Sequence, residues 1–204
     1  MQQGSRKCRI VQAMNQEDLR NRLLIEHEAV TRDALTVAYG LSDEQLAWSQ
    51  EGCWSVGQLF EHLVIVADSY ASKMRGRIFD AHAPHTMAEA EVEWEPSLMG
   101  WMMVKRLRSP RAMPAPRIFV PNPTPRPEIV NAFIQRQATL TYLLRASAAL
   151  HWNRVRVTSP VSPLVRLNLG DAFQILIVHA QRHIGQMNQL RAMELFPRER
   201  QASA

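Results

Sequence analysis

The sequence predicts an all-α protein, a four-helix bundle with a long proline-rich crossover between helices two and three. Three observations predict it. Four segments carry apolar residues at three- and four-residue spacing, the mark of a helix with one buried face. Strand signals are nearly absent, with Arg154 to Val157 a weak alternating stretch. Nine of the twelve prolines fall between the second and third periodic segments, and no long helix can run through Pro110 to Pro127.

The first helix is expected from about Asn15 to Gly40, with Leu23, His27, Val30, Ala34 and Val37 as its inner stripe. Gly40 is a natural C-terminal stop. A short turn or helix follows, opened by the capping-box pair Ser42 and Gln45. The second helix starts after Trp54, capped by Ser55, and runs to about Phe79 with Leu59, His62 and Val66 on one seam. Ser97 to Arg108 reads as a short helix within an otherwise extended crossover, about residues 80–126. The third long helix is expected to begin near Pro127, on the stripe Val130, Phe133, Gln137, Leu140, Leu144, Ser147 and His151. The fourth begins after Asn168 and runs to about Leu195, before Pro197.

At 204 residues and 46% hydrophobic, the chain can bury one good core, so a single domain over 1–204 is expected, with its core about 15–196. Two cysteines, Cys8 and Cys53, are no disulfide framework and fit a reducing cytoplasm. Arg6, Lys7 and Arg9 are followed by no apolar run of signal-peptide type, and no stretch is apolar enough for a membrane span.

The net charge of +5 conceals an asymmetry. Residues 1–95 hold 9 basic and 15 acidic side chains, residues 96–170 hold 11 and one, and residues 171–204 hold 4 and 3. The basic excess is spread over the crossover and the third helix, without a nucleic-acid-binding motif. It reads as a solvated surface or as a positive rim for an anionic small molecule, with no nucleic-acid partner expected.

Three histidines occupy positions where a bundle normally places leucine. His179 and His183 lie on the seam Leu169, Ala172, Leu176, His179, His183, Gln186, Leu190, Met193, and His62 lies on the seam of helix two. A bare imidazole on such a seam costs free energy unless it is hydrogen-bonded or bound to something. Histidines four apart stand one turn apart on one face, and a third facing them completes a set of nitrogen ligands for one ion. Three protein ligands with an open position is the arrangement of a catalytic metal rather than a structural one.

WSVGQLFEHL followed by HAQRHIGQMNQLR resembles the DinB-like four-helix bundles, related to thiol-dependent transferases of the YfiT type. Trp54, Ser55 and His62 match the start of that family's second helix, and His179, His183 and Gln186 match its fourth. The resemblance implies a divalent metal, nickel or zinc, held by His62, His179 and His183. It also implies activities such as thiol-dependent S-transfer, maleylpyruvate isomerisation or hydrolysis. The expected function is a metal-dependent transferase or hydrolase acting on a small molecule, with a low-molecular-weight thiol as cosubstrate. The alternative is a non-catalytic metal-containing protein that binds a small molecule. A homodimer is compatible with either.

Other side chains carry two readings each. Gln186 either holds a ligand water or bonds to a neighbouring helix backbone. His27 is a proton carrier near the pocket or, preferred, a partly exposed structural histidine. Trp54 reads as a packing anchor. Trp94 and Trp101 read as lining a pocket mouth or a subunit contact. Arg182 points off the histidine seam, toward a surface or interface role. His82 and His85 make an improbable loop site, and Glu89, Glu91, Glu93 and Glu95 read as solvated loop. Cys53 precedes a helix start, but with the histidines assigned to metal it lacks an adjacent base, so the nucleophile is expected to be external.

Overall fold

A computed structural model describes residues 13–80 and 92–198. Its helices are α1 Gln16–Ala38, α2 Asp43–Ala47, α3 Val56–Ile78, α4 Leu98–Arg108, α5 Ile129–Ala146 and α6 Leu169–Arg191. A 3-10 turn spans Arg117–Phe119. Two antiparallel pairs complete the described residues: β1 Met14–Asn15 with β2 Glu93–Trp94, and β3 Arg156–Thr158 with β4 Arg166–Asn168. The protein is therefore mostly helical, as its periodicity requires. Cys8, His82, His85, Glu89 and Glu91 lie outside the described residues. Among the described residues, no helix is long and apolar enough to cross a membrane.

The helix starts follow local chemistry. Asn15 accepts from the backbone N–H groups of Glu17 and Asp18. Ser42 with Gln45, Ser55 with Gln58, and Asn168 with Asp171 form reciprocal capping boxes. Each satisfies two backbone donors that a helix start leaves orphaned. Proline does not open α5: the helix begins at Ile129, after Glu128 turns through the left-handed region at φ 56°. The last helix ends at Arg191, short of Leu195, and Leu195 is exposed.

Helix α1 packs on α5 and α6, α3 packs on α5 and α6, and α4 packs on α6. The stripe of α1 is buried, and Phe60 of α3 meets Phe133 of α5 edge-on with ring centroids 5.2 Å apart. Trp152 is fully buried in the loop after α5, against Phe173 of α6 at 5.2 Å.

Among the described residues, the segment between α3 and α5 contains the short helix read at Ser97 to Arg108. Its α4 lies against α6 where a Cβ on Gly100 would stand 2.1 Å from the Asp171 Cγ. Asp171 cannot give way, because its carboxylate accepts from the backbone N–H groups of Ser97 and Asn168 and is fully buried. Gly100→Ala is expected to cost about 1–3 kcal/mol by overpacking, read as a lower urea midpoint with an unchanged slope.

Trp94 corrects the pocket-mouth and subunit-contact readings. It is buried in β2 and donates its indole N–H to Asn168 Oδ1 at 3.0 Å. Glu93 also belongs to this strand rather than to a loop. Trp101 is half-buried, with the Lys105 ammonium over its ring at 4.9 Å. Between α4 and α5 the chain is pinned to the start of α3. The Gln58 amide donates to the carbonyls of Asn122 and Pro123, and Asn122 donates to Glu61. Pro125 covers Gly57, where a Cβ would meet it at 2.7 Å. These contacts hold Phe119 over the second turn of α3.

Candidate metal centre

Helices α3 and α6 bring His62, His179 and His183 together. The Nε2 of His62 lies 3.1 Å from the Nε2 of His179, and the Nε2 of His183 lies 3.0 Å from the same atom. The ligand nitrogens of all three fall within 4.8 Å of one another. His62 and His183 are buried; His179 keeps part of its surface open, although its Nδ1 is buried.

The other ring nitrogens explain why the three converge. His62 donates its Nδ1–H to the carbonyl of Phe119 at 2.7 Å. His183 donates its Nδ1–H to Gln186 Oε1 at 2.6 Å. A neutral imidazole carries one N–H, so both Nε2 atoms present lone pairs to the cluster. His179 can offer at most one proton at Nε2, which would satisfy one of its two neighbours and not the other. A cation is the occupant that satisfies all three nitrogens at once. Their spacing suits ligands lying about 2.0–2.1 Å from one ion. Hydrogen bonds from the far ring nitrogens to a carbonyl and a carboxamide are the outer-shell contacts that orient ligating histidines.

Burial and charge keep the cluster deprotonated. Desolvation lowers the His62 pKa, against the Phe119 hydrogen bond. Desolvation, then repulsion from His183, His62 and Arg182, holds His179 well below its ordinary value. His183 is pushed down to about 3 by desolvation first and then by His62, with Arg182 adding to the effect. These rings stay neutral at pH 7 and are ready to ligate.

The sign for stability follows. The unfolded chain takes up a proton at His183 as pH falls through its ordinary 6.5, and the folded metal-free chain does not until about 3. Metal-free protein is therefore expected to lose stability between these values, by about 2 kcal/mol at pH 5 from His183 alone. His62, His179 and the likewise lowered His27 act in the same direction. Asp171, raised by burial, acts oppositely. Urea midpoints of metal-free protein at pH 7.5 and pH 5 check this, and a midpoint that rises on acidification would contradict it.

Several side chains differ from their sequence readings. Gln186 accepts from the His183 Nδ1–H through its Oε1, rather than from a neighbouring helix backbone. His27 is buried rather than partly exposed, and donates its Nε2–H to the carbonyl of Gln137 at 2.9 Å. Trp54 packs its ring on His62, centroids 4.9 Å apart, so its packing role reaches the cluster itself. Arg182 donates to the carbonyls of Leu107, Ser109 and Arg111, tying the end of α4 to α6. Phe119 is the residue that sequence reasoning missed, since a backbone carbonyl leaves no mark in residue identity. A concavity of about 770 Å³ lies elsewhere, between α1 and α5, and is lined by His27, Thr31, Leu35, Tyr39, Ile134 and Gln137 among others. The nitrogen convergence, not cavity size, locates the candidate site.

Fold and site together define a mostly helical protein with three converging imidazoles able to hold a metal ion. The chain belongs to the DinB superfamily, whose family model matches residues 26–187. The match spans His62, His179 and His183. No curated protein and no solved structure matches the chain.

Proposed function

We propose that this chain is a metal-dependent transferase or hydrolase in which His62, His179 and His183 hold one divalent ion, nickel or zinc, and a low-molecular-weight thiol or water is the nucleophile. In this reading α1, α3, α5 and α6 are the four helices of a single bundle domain, and the segment from Phe79 to Glu128 is its crossover. The observation that carries the proposal is the convergence of three Nε2 atoms, those of His62 and His183 lying 3.1 and 3.0 Å from that of His179, and both of these rings oriented by outer-shell acceptors.

A divalent ion so held lowers the pKa of a coordinated thiol or water. The chain's own residues do the rest. Phe119 and Gln186 fix two rings so that their Nε2 lone pairs face inward. Trp54 and Phe119 pack aromatic surface around His62, at 4.9 and 6.4 Å between ring centroids, which excludes water from that side. Arg182 places a positive charge near His179 and His183, which favours an anionic cosubstrate.

A second reading has its own support. Among the described residues, the partners hydrogen-bonded to the cluster from outside are a carbonyl and a carboxamide, neither a proton-transfer group. A binding protein that uses the ion to hold a small anion needs nothing more. Turnover separates the two. Metal-loaded protein should consume a low-molecular-weight thiol in the presence of an electrophile. Exposed Cys53 is not the nucleophile, so the Cys8→Ser, Cys53→Ser double variant should keep the activity and His179→Ala should lose it. The reverse pattern would make this a cysteine enzyme, and no turnover with any thiol or water substrate would favour the binding protein.

A further inference from the structure

Two of the three cluster histidines have an outer-shell partner on the chain; His179 does not. Its Nδ1 is buried without a hydrogen-bond partner among the described residues, and so is the Nδ1 of His27. Both residues line one small internal cavity between α1, α3, α5 and α6, of about 20 Å³. Its remaining lining is apolar, Leu63, Phe133 and Leu176 among it, apart from Gln137. Leaving a buried ring nitrogen unpaired is destabilising. Two such rings lining the same cavity, whose volume is of the size one water needs, point to a shared partner.

We propose that this cavity is a specific site for one water molecule, which accepts a hydrogen bond from His179 Nδ1–H and donates one to His27 Nδ1. The inference rests on the metal reading of the triad for its consequence and for the direction of the His179 hydrogen bond, though not for the presence of the water. The hydrogen-bond directions are consistent along the whole chain of groups. His27 spends its single N–H on the Gln137 carbonyl, so its Nδ1 is an acceptor. His179, ligating through Nε2, has its N–H on Nδ1. A water between them uses one lone pair and one hydrogen, and Gln137 is the polar neighbour within reach of the rest. His27 thereby becomes a positioning residue. It holds through water the one ring of the triad that no protein group holds directly. The sequence seam of α1, Leu23, His27, Val30, puts this imidazole where its neighbours put aliphatic side chains, and the water site gives it a purpose there.

The test uses full-length protein and Zn2+ as the probe. A high-resolution crystal structure should show one water within about 2.7–3.2 Å of both Nδ1 atoms. Zn2+ affinity, measured by competition with a chromophoric chelator, should fall about 10–100-fold in His27→Phe, the range for loss of an outer-shell partner. Ala67→Val narrows the same cavity with His27 intact, and should lower the affinity in the same way. His27→Gln, which retains an acceptor, should recover part of it. A merely structural His27 would lower the unfolding midpoint and leave Zn2+ affinity alone. If His27→Phe folds poorly, Ala67→Val and the density decide. A dry cavity, or unchanged affinity in Ala67→Val, overturns the inference. If wild-type protein takes up no Zn2+ at all, the metal reading fails, and the density together with the His27 tautomer from 15N NMR still decides the water site.

Discussion

Substituting His179 by alanine is expected to abolish stoichiometric binding of a divalent ion while the helices remain. His179 is the ring from which both other Nε2 atoms stand 3.0–3.1 Å, so its loss leaves two nitrogens on different helices with no third ligand between them. The affinity loss should exceed the roughly 10–100-fold expected when only an outer-shell partner is removed. His62→Ala and His183→Ala should behave alike, because each removes one of the same three ligands. The fold should survive. Each helix keeps its own apolar stripe, and the buried residues of α1, α3, α4, α5 and α6 belong to one hydrophobic cluster. Elemental analysis and far-UV circular dichroism of each variant check both halves. A variant that keeps a full complement of metal would show that the triad is not the site. Outright unfolding of the parent by a chelator would make the ion structural instead of catalytic.

Trp152→Ala is expected to be the most damaging single change to stability, at about 3–5 kcal/mol. Its ring is fully buried and touches Phe173 of α6. Its indole N–H donates to the Ser147 carbonyl, its backbone N–H donates to Gln16 Oε1 of α1, and its carbonyl accepts from the Leu169 N–H at the start of α6. One residue thus joins the end of α5 to the starts of α1 and α6. A loss of that size is a large share of the about 5–15 kcal/mol that holds a typical domain together. Chemical denaturation should show the midpoint collapse, and the α6 histidines should then bind metal less tightly through the fold rather than through any ligand. A change of less than about 1 kcal/mol would mean that the loop repacks without the indole.

The stripes of the four long helices were legible because burial on one side of a helix imposes a period of 3.6, whatever lies opposite. The starts of α2, α3 and α6 were legible because caps are local, read from Ser42, Ser55 and Asn168. His62, His179 and His183 were legible as a cluster for the same reason as the stripes: a seam position has one direction to face. What was hidden depends on contacts between distant segments. Phe119 orients His62 through its carbonyl, and the carbonyl reaches the ring because Gln58 and Asn122 pin the segment between α4 and α5 to α3. Trp94 is buried through a two-residue strand paired with Met14, too short for any alternation to show. The burial of His27 is hidden from the sequence because its partner, the Gln137 carbonyl, belongs to another helix. Gln186 is a different case. It stands three residues from His183, a spacing at which helix side chains meet, so its bond could have been expected from the sequence.

The central claim is that three imidazoles hold one ion. The most direct measurement is anomalous diffraction at the metal edge on protein purified without an affinity tag and supplied with Zn2+ or Ni2+. The account predicts one anomalous peak per chain, about 2.0–2.1 Å from the Nε2 atoms of His62, His179 and His183. Absence of a peak within reach of these three nitrogens, with the ion bound elsewhere or not at all, would contradict it.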